Sequence, residues 1–336
     1  MTRKSPFPTA NMPPARQGYK LGLGVVLLLL LLGWPGTANA QALRSPSYAQ
    51  YNRQAINPAF AGARARWRVN AFYRNQFANL TEGGTGLTAT AHGPLAGYRN
   101  GLGVSVTYDE IGIAQQFWGG VAYAHRIPIR IRQDKYAYLG LGLQAGLMQF
   151  QIDPAQLQLT QSGDPTFLDS NLEAPVLEPT TDAGIFFHTQ RFFVGYSVWN
   201  LEDWLQPEPP EDGLDYRSER HHFLMAGGYV PFSAYHYNWA LIPSGLLRYA
   251  EPGAPPTAEV SVLLEGLQRF WVGAGYRTQA TYSLQAGFYP LKSLRIGYAY
   301  EAGWADALAS FGPTHEVFLS WEFGKLLPQV APPKYY

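Results

Sequence analysis

The sequence predicts an all-β fold, a transmembrane antiparallel β-barrel of about 14 strands, on three observations. Apolar residues alternate with small or polar ones from about residue 65 almost to the end, and no window shows a convincing helical stripe. The composition combines 35 glycines with 22 tyrosines, 18 phenylalanines and 9 tryptophans at only 15% charged residues, as short strands joined by tight turns would use. The gaps between the alternating runs are also ordered, with the three longest at odd positions in the series. A barrel with one looped rim and one trimmed rim produces that pattern.

The elements follow in chain order. Residues 1–40 read as a cleaved signal peptide: Arg3, Lys4, Arg16 and Lys20 precede the apolar run "LGLGVVLLLLLL", and Ala38-Asn39-Ala40 supplies a small-x-small cleavage site. The apolar run is short for a bilayer-spanning helix, which needs about 20 residues. Residues 41–63 form an N-terminal segment with neither helical stripe nor strand alternation, expected at the periplasmic mouth or inside the lumen. Here Tyr48, Gln50, Tyr51 and Asn57 offer side-chain hydrogen bonds, while Asn57-Pro58 turns the chain and Gly62 frees it before the first strand.

Residues 64–324 are expected to build the barrel, in strands of roughly nine to fifteen residues. In the first, Trp67, Val69, Ala71 and Tyr73 share one face, and Arg66, Arg68, Asn70 and Arg74 share the other with Phe72 as the exception. Leu102/Val104/Val106/Tyr108, Leu139/Leu141/Leu143/Leu147 and Phe192/Val194/Tyr196/Val198 repeat the pattern, and Val317/Leu319/Trp321/Phe323 close it. The aliphatic face with aromatics near its ends is assigned to lipid, and the face of Gly, Ser, Thr, Gln and Arg to the lumen. The long gaps lie near 151–180, 201–219 and 303–313, whereas "PLAGYRN" and "PIRIRQDK" read as modest connections on the opposite rim. Residues 325–336 are left as a proline-rich periplasmic tail.

The chemistry is mostly excluded. The chain has no cysteine, which removes disulfides, thiolate metal sites and a catalytic thiol, and its net charge of +1 points to no nucleic acid. "GLGLQAG" lacks the helix and spacing of a nucleotide loop, so its glycines read as sites of close backbone approach. His221-His222 and His315-Glu316 are each neighbours on a strand and point to opposite faces, which disfavours a shared metal or a catalytic pair. No catalytic residue, cofactor or metal is assigned. The stretch Leu201 to Arg220 carries seven acidic residues and two arginines, and Trp204, Glu208, Glu211, Asp212 and Tyr216 make it a candidate extracellular docking loop.

"YAQYNRQAINPAFAG", Tyr48 to Gly62, resembles the N-terminal motif of the PorP/SprF family, through Tyr48, Gln50, Tyr51, Asn57, Pro58 and Gly62. Ala49 and Phe60 depart from the family's usual Ser and Tyr. "YRNQF", "GLGVSVTYDEIG", "LRIGYAYE" and "THEVFLSWEF" are similar to later family motifs, the last including His315 and Glu316. The resemblance implies an outer-membrane barrel of the type IX secretion and gliding machinery, without enzyme activity. The implied partners are secretion components, a large secreted adhesin with a type B sorting domain, or both, besides outer-membrane lipid. The residues alone leave two alternatives open: a channel for small or hydrophobic solutes, and a soluble secreted β domain.

Overall fold

The computed structural model describes residues 50–80, 83–95, 98–132, 135–153, 175–204, 219–232, 239–251, 255–278, 280–304 and 309–324. The first half of the wall comprises β1 (Trp67–Gln76), β2 (Gly84–Pro94), β3 (Asn100–Ile111), β4 (Ala114–Arg132), β5 (Lys135–Ile152), β6 (Val176–His188) and β7 (Phe192–Trp199). The second half comprises β8 (Arg220–Gly228), β9 (Val230–Pro231), β10 (Trp239–Glu251), β11 (Thr257–Gly266), β12 (Phe270–Arg277), β13 (Thr281–Leu291), β14 (Leu294–Gly303) and β15 (Thr314–Phe323). β9 prolongs β8 along the same neighbour, β10, so the ring is a closed 14-strand antiparallel barrel.

Each strand pairs with its neighbours in the chain, and β1 meets β15 in the register Trp67↔Phe323 through Asn75↔His315. Closure leaves no sheet edge along the wall, which a membrane demands because hydrocarbon offers no partner to a bare backbone amide. β1 begins and β15 ends at the same rim, here the near rim. The long connections, 153–175, 200–219 and 304–313, all lie at the far rim.

Alternation sets the two faces. Val69, Ala71 and Tyr73 of β1 point outward, and Arg68, Asn70 and Phe72 point inward. Val104, Val106, Val121, Leu141, Leu143, Val194, Val272, Leu284, Val317 and Leu319 continue the exposed outer belt. Tyr73, Phe117, Tyr276 and Tyr282 lie toward its far edge, and Phe192, Trp239, Phe270, Phe288 and Trp321 toward its near edge. Such aromatic girdles sit at the two membrane interfaces.

Two expectations are corrected. Apart from the two-residue β9, the strands run from 8 to 19 residues, and the stretch taken as the connection "PIRIRQDK" is largely strand, because β4 and β5 stay paired from Ala114↔Ile152 to Arg132↔Lys135. The lumen-facing set is also not confined to small and polar residues. Phe72, Phe186, Phe193, Phe223, Met225, Ile242, Leu263, Trp271 and Phe318 are buried within the ring. Tyr51, Ile56, Ala59 and Phe60 pack against them there, so apolar inward side chains gain burial as they would in a soluble core.

Candidate functional site

Residues 50–63, before β1, lie inside the ring. Their sequence favours compact, non-repetitive backbone: Arg53–Ile56 makes one helical turn and Pro58–Phe60 one 3-10 turn. Asn57 joins them, its carboxamide oxygen accepting from the Ala59 amide at 2.9 Å, which is the capping role for which Asn is suited. Gln50, Tyr51, Asn52, Arg53, Gln54, Ile56, Asn57, Ala59, Phe60, Ala61 and Ala63 are all buried.

The bonds of this segment reach around the wall. The Gln50 amide oxygen accepts from Ser244 of β10 at 2.9 Å and from Ser261 of β11 at 2.6 Å, and its nitrogen donates to Gln285 of β13. Asn52 accepts from Thr90 of β2 at 3.0 Å, and Gln54 accepts from Ser105 of β3 at 3.1 Å. The Ile56 carbonyl takes Ser197 and the Trp199 indole, both at 2.8 Å. Asn57 donates to the Ile185 and Tyr196 carbonyls at 3.1 Å each, which ties β6 and β7 to the segment. Tyr51 lies between Phe318, at 4.6 Å between ring centroids, and Trp271, at 5.8 Å, while the Arg53 guanidinium covers the Phe193 ring at 4.3 Å.

Fit is set by shape as well as bonds. At Gly142 of β5 an added Cβ would fall on the backbone of Ala59, so only glycine lets the turn lie flat on the wall. Gly62 adopts φ +72°, a left-handed conformation that favours glycine, and its amide donates to His92 Nδ1 at 3.2 Å. His92 therefore presents an unprotonated Nδ1 to the lumen segment.

Some contributors carry no local sequence signal. Arg126 of β4 donates to the Ala61 carbonyl, to Tyr98 O at 2.8 Å and to Asn100 O at 2.9 Å, with its guanidinium 4.6 Å from the Tyr98 ring centroid. Tyr98 in turn donates to the Ala63 carbonyl at 2.6 Å.

The other candidate residues lie apart. Glu316 is buried on the lumen side, while His315 faces outward with Nδ1 2.6 Å from the Tyr298 hydroxyl. His221 is buried inside, and His222 lies on the outer side between the Tyr196 hydroxyl at 2.7 Å and Glu251 at 3.1 Å. The backbone of Trp204 ends a 3-10 turn, Leu201–Trp204. Tyr48, Glu208, Glu211, Asp212 and Tyr216 lie outside the described residues. Among the described residues no group of three or more His, Asp or Glu side chains is placed to hold a metal ion.

Asn57→Ala should be the most damaging single truncation in the segment. It empties one cap and leaves the Ile185 and Tyr196 carbonyls without that donor, at about 1–3 kcal/mol for each buried group left unmade. Urea unfolding of the refolded protein in detergent micelles should show the midpoint fall, and an unchanged midpoint would mean that water replaces the carboxamide.

Comparisons with known proteins give the following. A search of curated proteins returns no match. Among solved structures, the Acinetobacter baumannii outer membrane protein Omp33 aligns with 78% of this chain and 100% of its own, at 11% identity and a TM-score of 0.43. A mutant porin of Rh. blastica aligns over 77% of this chain and 99% of its own, at 7% identity and a TM-score of 0.34. The family model described as type IX secretion system membrane protein PorP/SprF matches residues 40–321, nearly the whole barrel and the segment inside it. This chain belongs to the PorP/SprF family of type IX secretion system membrane proteins.

Proposed function

We propose that the protein is a non-enzymatic outer-membrane scaffold of type IX secretion, supporting export or surface attachment of a partner such as a gliding adhesin with a type B sorting domain. The observation that carries this is the occupied lumen: residues 50–63 bond to strands all around the wall. A barrel packed with its own chain offers surfaces rather than a conduit. Export by the 1–40 signal would place the near rim, with both ends of the wall, in the periplasm. The connections 153–175 and 200–219 would then face outside, and Trp204, Glu208, Glu211, Asp212 and Tyr216 would offer acidic and aromatic docking groups there. The tail 325–336 would remain available to periplasmic secretion components.

Affinity capture from detergent-solubilised outer membranes, followed by mass spectrometry, tests the proposal. The expected result is co-recovery of a large secreted adhesin or of periplasmic secretion components, lost when Ser47–Ala63 is deleted. Recovery of the bare barrel alone would overturn it in favour of a solute channel.

A further inference from the structure

The β4–β5 hairpin outruns the barrel. On one side, pairing of β4 with β3 ends at Asn100↔His125, and the Arg126 amide makes one further bond to Arg99 O at 2.6 Å. On the other side, pairing of β5 with β6 ends at Tyr138↔His188. Yet β4 and β5 remain paired to each other as far as Arg132↔Lys135. Residues 127–132 and 135–137 thus form a two-stranded ribbon beyond the near rim, unpaired on both outer edges among the described residues.

The outward face of this ribbon is apolar. Tyr123 and His125 lie just before it on β4, and both bond Asn100 Oδ1 at 2.9 Å. A Tyr/His/Asn group of this kind suits the interface at which a lipid belt gives way to polar surroundings. Ile127, Ile129 and Ile131 lie past it and remain 42%, 41% and 56% exposed. On the other face, Pro128 is followed by Arg130 and Arg132, and Lys135, paired with Arg132, starts the return strand. All charges on the described part of the ribbon are basic, and none has an ion pair among the described residues. Pro128 removes one donor from an edge otherwise open for pairing.

We infer that the ribbon is a docking edge for an extended, acidic and apolar segment of another protein, which adds to it as a strand. Backbone bonds along the free edge would supply affinity, the isoleucine row would take alternate apolar side chains, and Arg130, Arg132 and Lys135 would select acidic ones. A partner in the periplasm depends on the orientation proposed above; the docking chemistry does not.

The test uses the full barrel in detergent and two synthetic peptides, fluorescein-labelled (Val-Glu)4 and (Val-Lys)4, read by fluorescence anisotropy. The acidic peptide should bind at least tenfold more tightly than the basic one, and Arg130→Glu/Arg132→Glu should abolish that preference. Hydrogen exchange should slow at residues 127–132 when the acidic peptide is bound. Equal binding of the two peptides, or binding indifferent to the substitutions, would overturn the docking edge. So would slow exchange of the ribbon in peptide-free phospholipid nanodiscs, which would assign the isoleucine row to lipid. Orientation is read separately: with no native cysteine, Ile131→Cys gives a single thiol for a membrane-impermeant maleimide. Labelling only after outer-membrane permeabilisation fits a periplasmic ribbon, and labelling of intact cells would overturn the proposed orientation while leaving the peptide result standing.

Discussion

Deleting Gln50–Ala63 should turn an electrically silent barrel into a conducting one, as measured in a planar lipid bilayer. The intact protein should pass little current because the segment crosses the lumen, with Gln50 bonded to β10, β11 and β13 and Asn57 bonded to β6 and β7. The wall should survive the deletion, since its strand pairing closes without the segment. Stability should still fall: Tyr51, Ile56 and Phe60 are buried there, and losing such side chains from an interior forfeits about 1.5–3 kcal/mol each. Circular dichroism showing an intact barrel with no current would show that something other than these residues closes the lumen. Conductance by the undeleted protein would sink the scaffold proposal more directly.

Arg277→Met should be the most destabilising single change in the wall. The guanidinium of Arg277 is held between Glu301, at 2.9 Å, and Glu259, at 3.0 Å, and all three side chains are almost wholly enclosed. Removing the cation takes from both carboxylates the guanidinium they share away from water, and breaking a buried pair in this way costs about 3–5 kcal/mol. Adding Glu259→Gln and Glu301→Gln should recover much of that loss, because it removes the two charges that lost their shared cation. Urea titration of the three proteins in micelles decides it. A loss below about 1 kcal/mol, the range of exposed pairs, would mean that water reaches the cluster from the far rim.

The wall was legible in the sequence because lipid imposes one demand on every strand, an apolar outward face, and period two satisfies it again and again. The interior was not, because its demand comes from residues remote in the chain. Phe72 looked like an exception beside Arg68 and Asn70 until it stacked on Phe318, 5.6 Å away, near Tyr51. Trp271 and Phe193 likewise answer a filling that no local pattern announces. The β4–β5 extension was hidden by Pro128, which reads as a turn; it is tolerated near a free edge, where a missing amide proton breaks no ladder. Of the lumen segment, amide and aromatic density around Gln50, Tyr51 and Asn57 marked the stretch as unusual for a free tail. The clamps of His92 and Arg126 left no such mark, since each is a single polar residue in an ordinary strand.

The lumen segment also bears on the order in which the molecule is made. Gln50 bonds to residues 194, 211 and 235 positions later in the chain, whereas Asn52 and Gln54 bond to residues only 38 and 51 positions away. The segment's bonds to the first strands therefore close short loops, and those to the last strands close long ones. Such distant contacts are slow to form because a large loop closes before any bond rewards it. Until β10, β11 and β13 arrive, the Gln50 carboxamide lacks its wall partners. The bonds of the segment are thus satisfied in full only when the ring has shut.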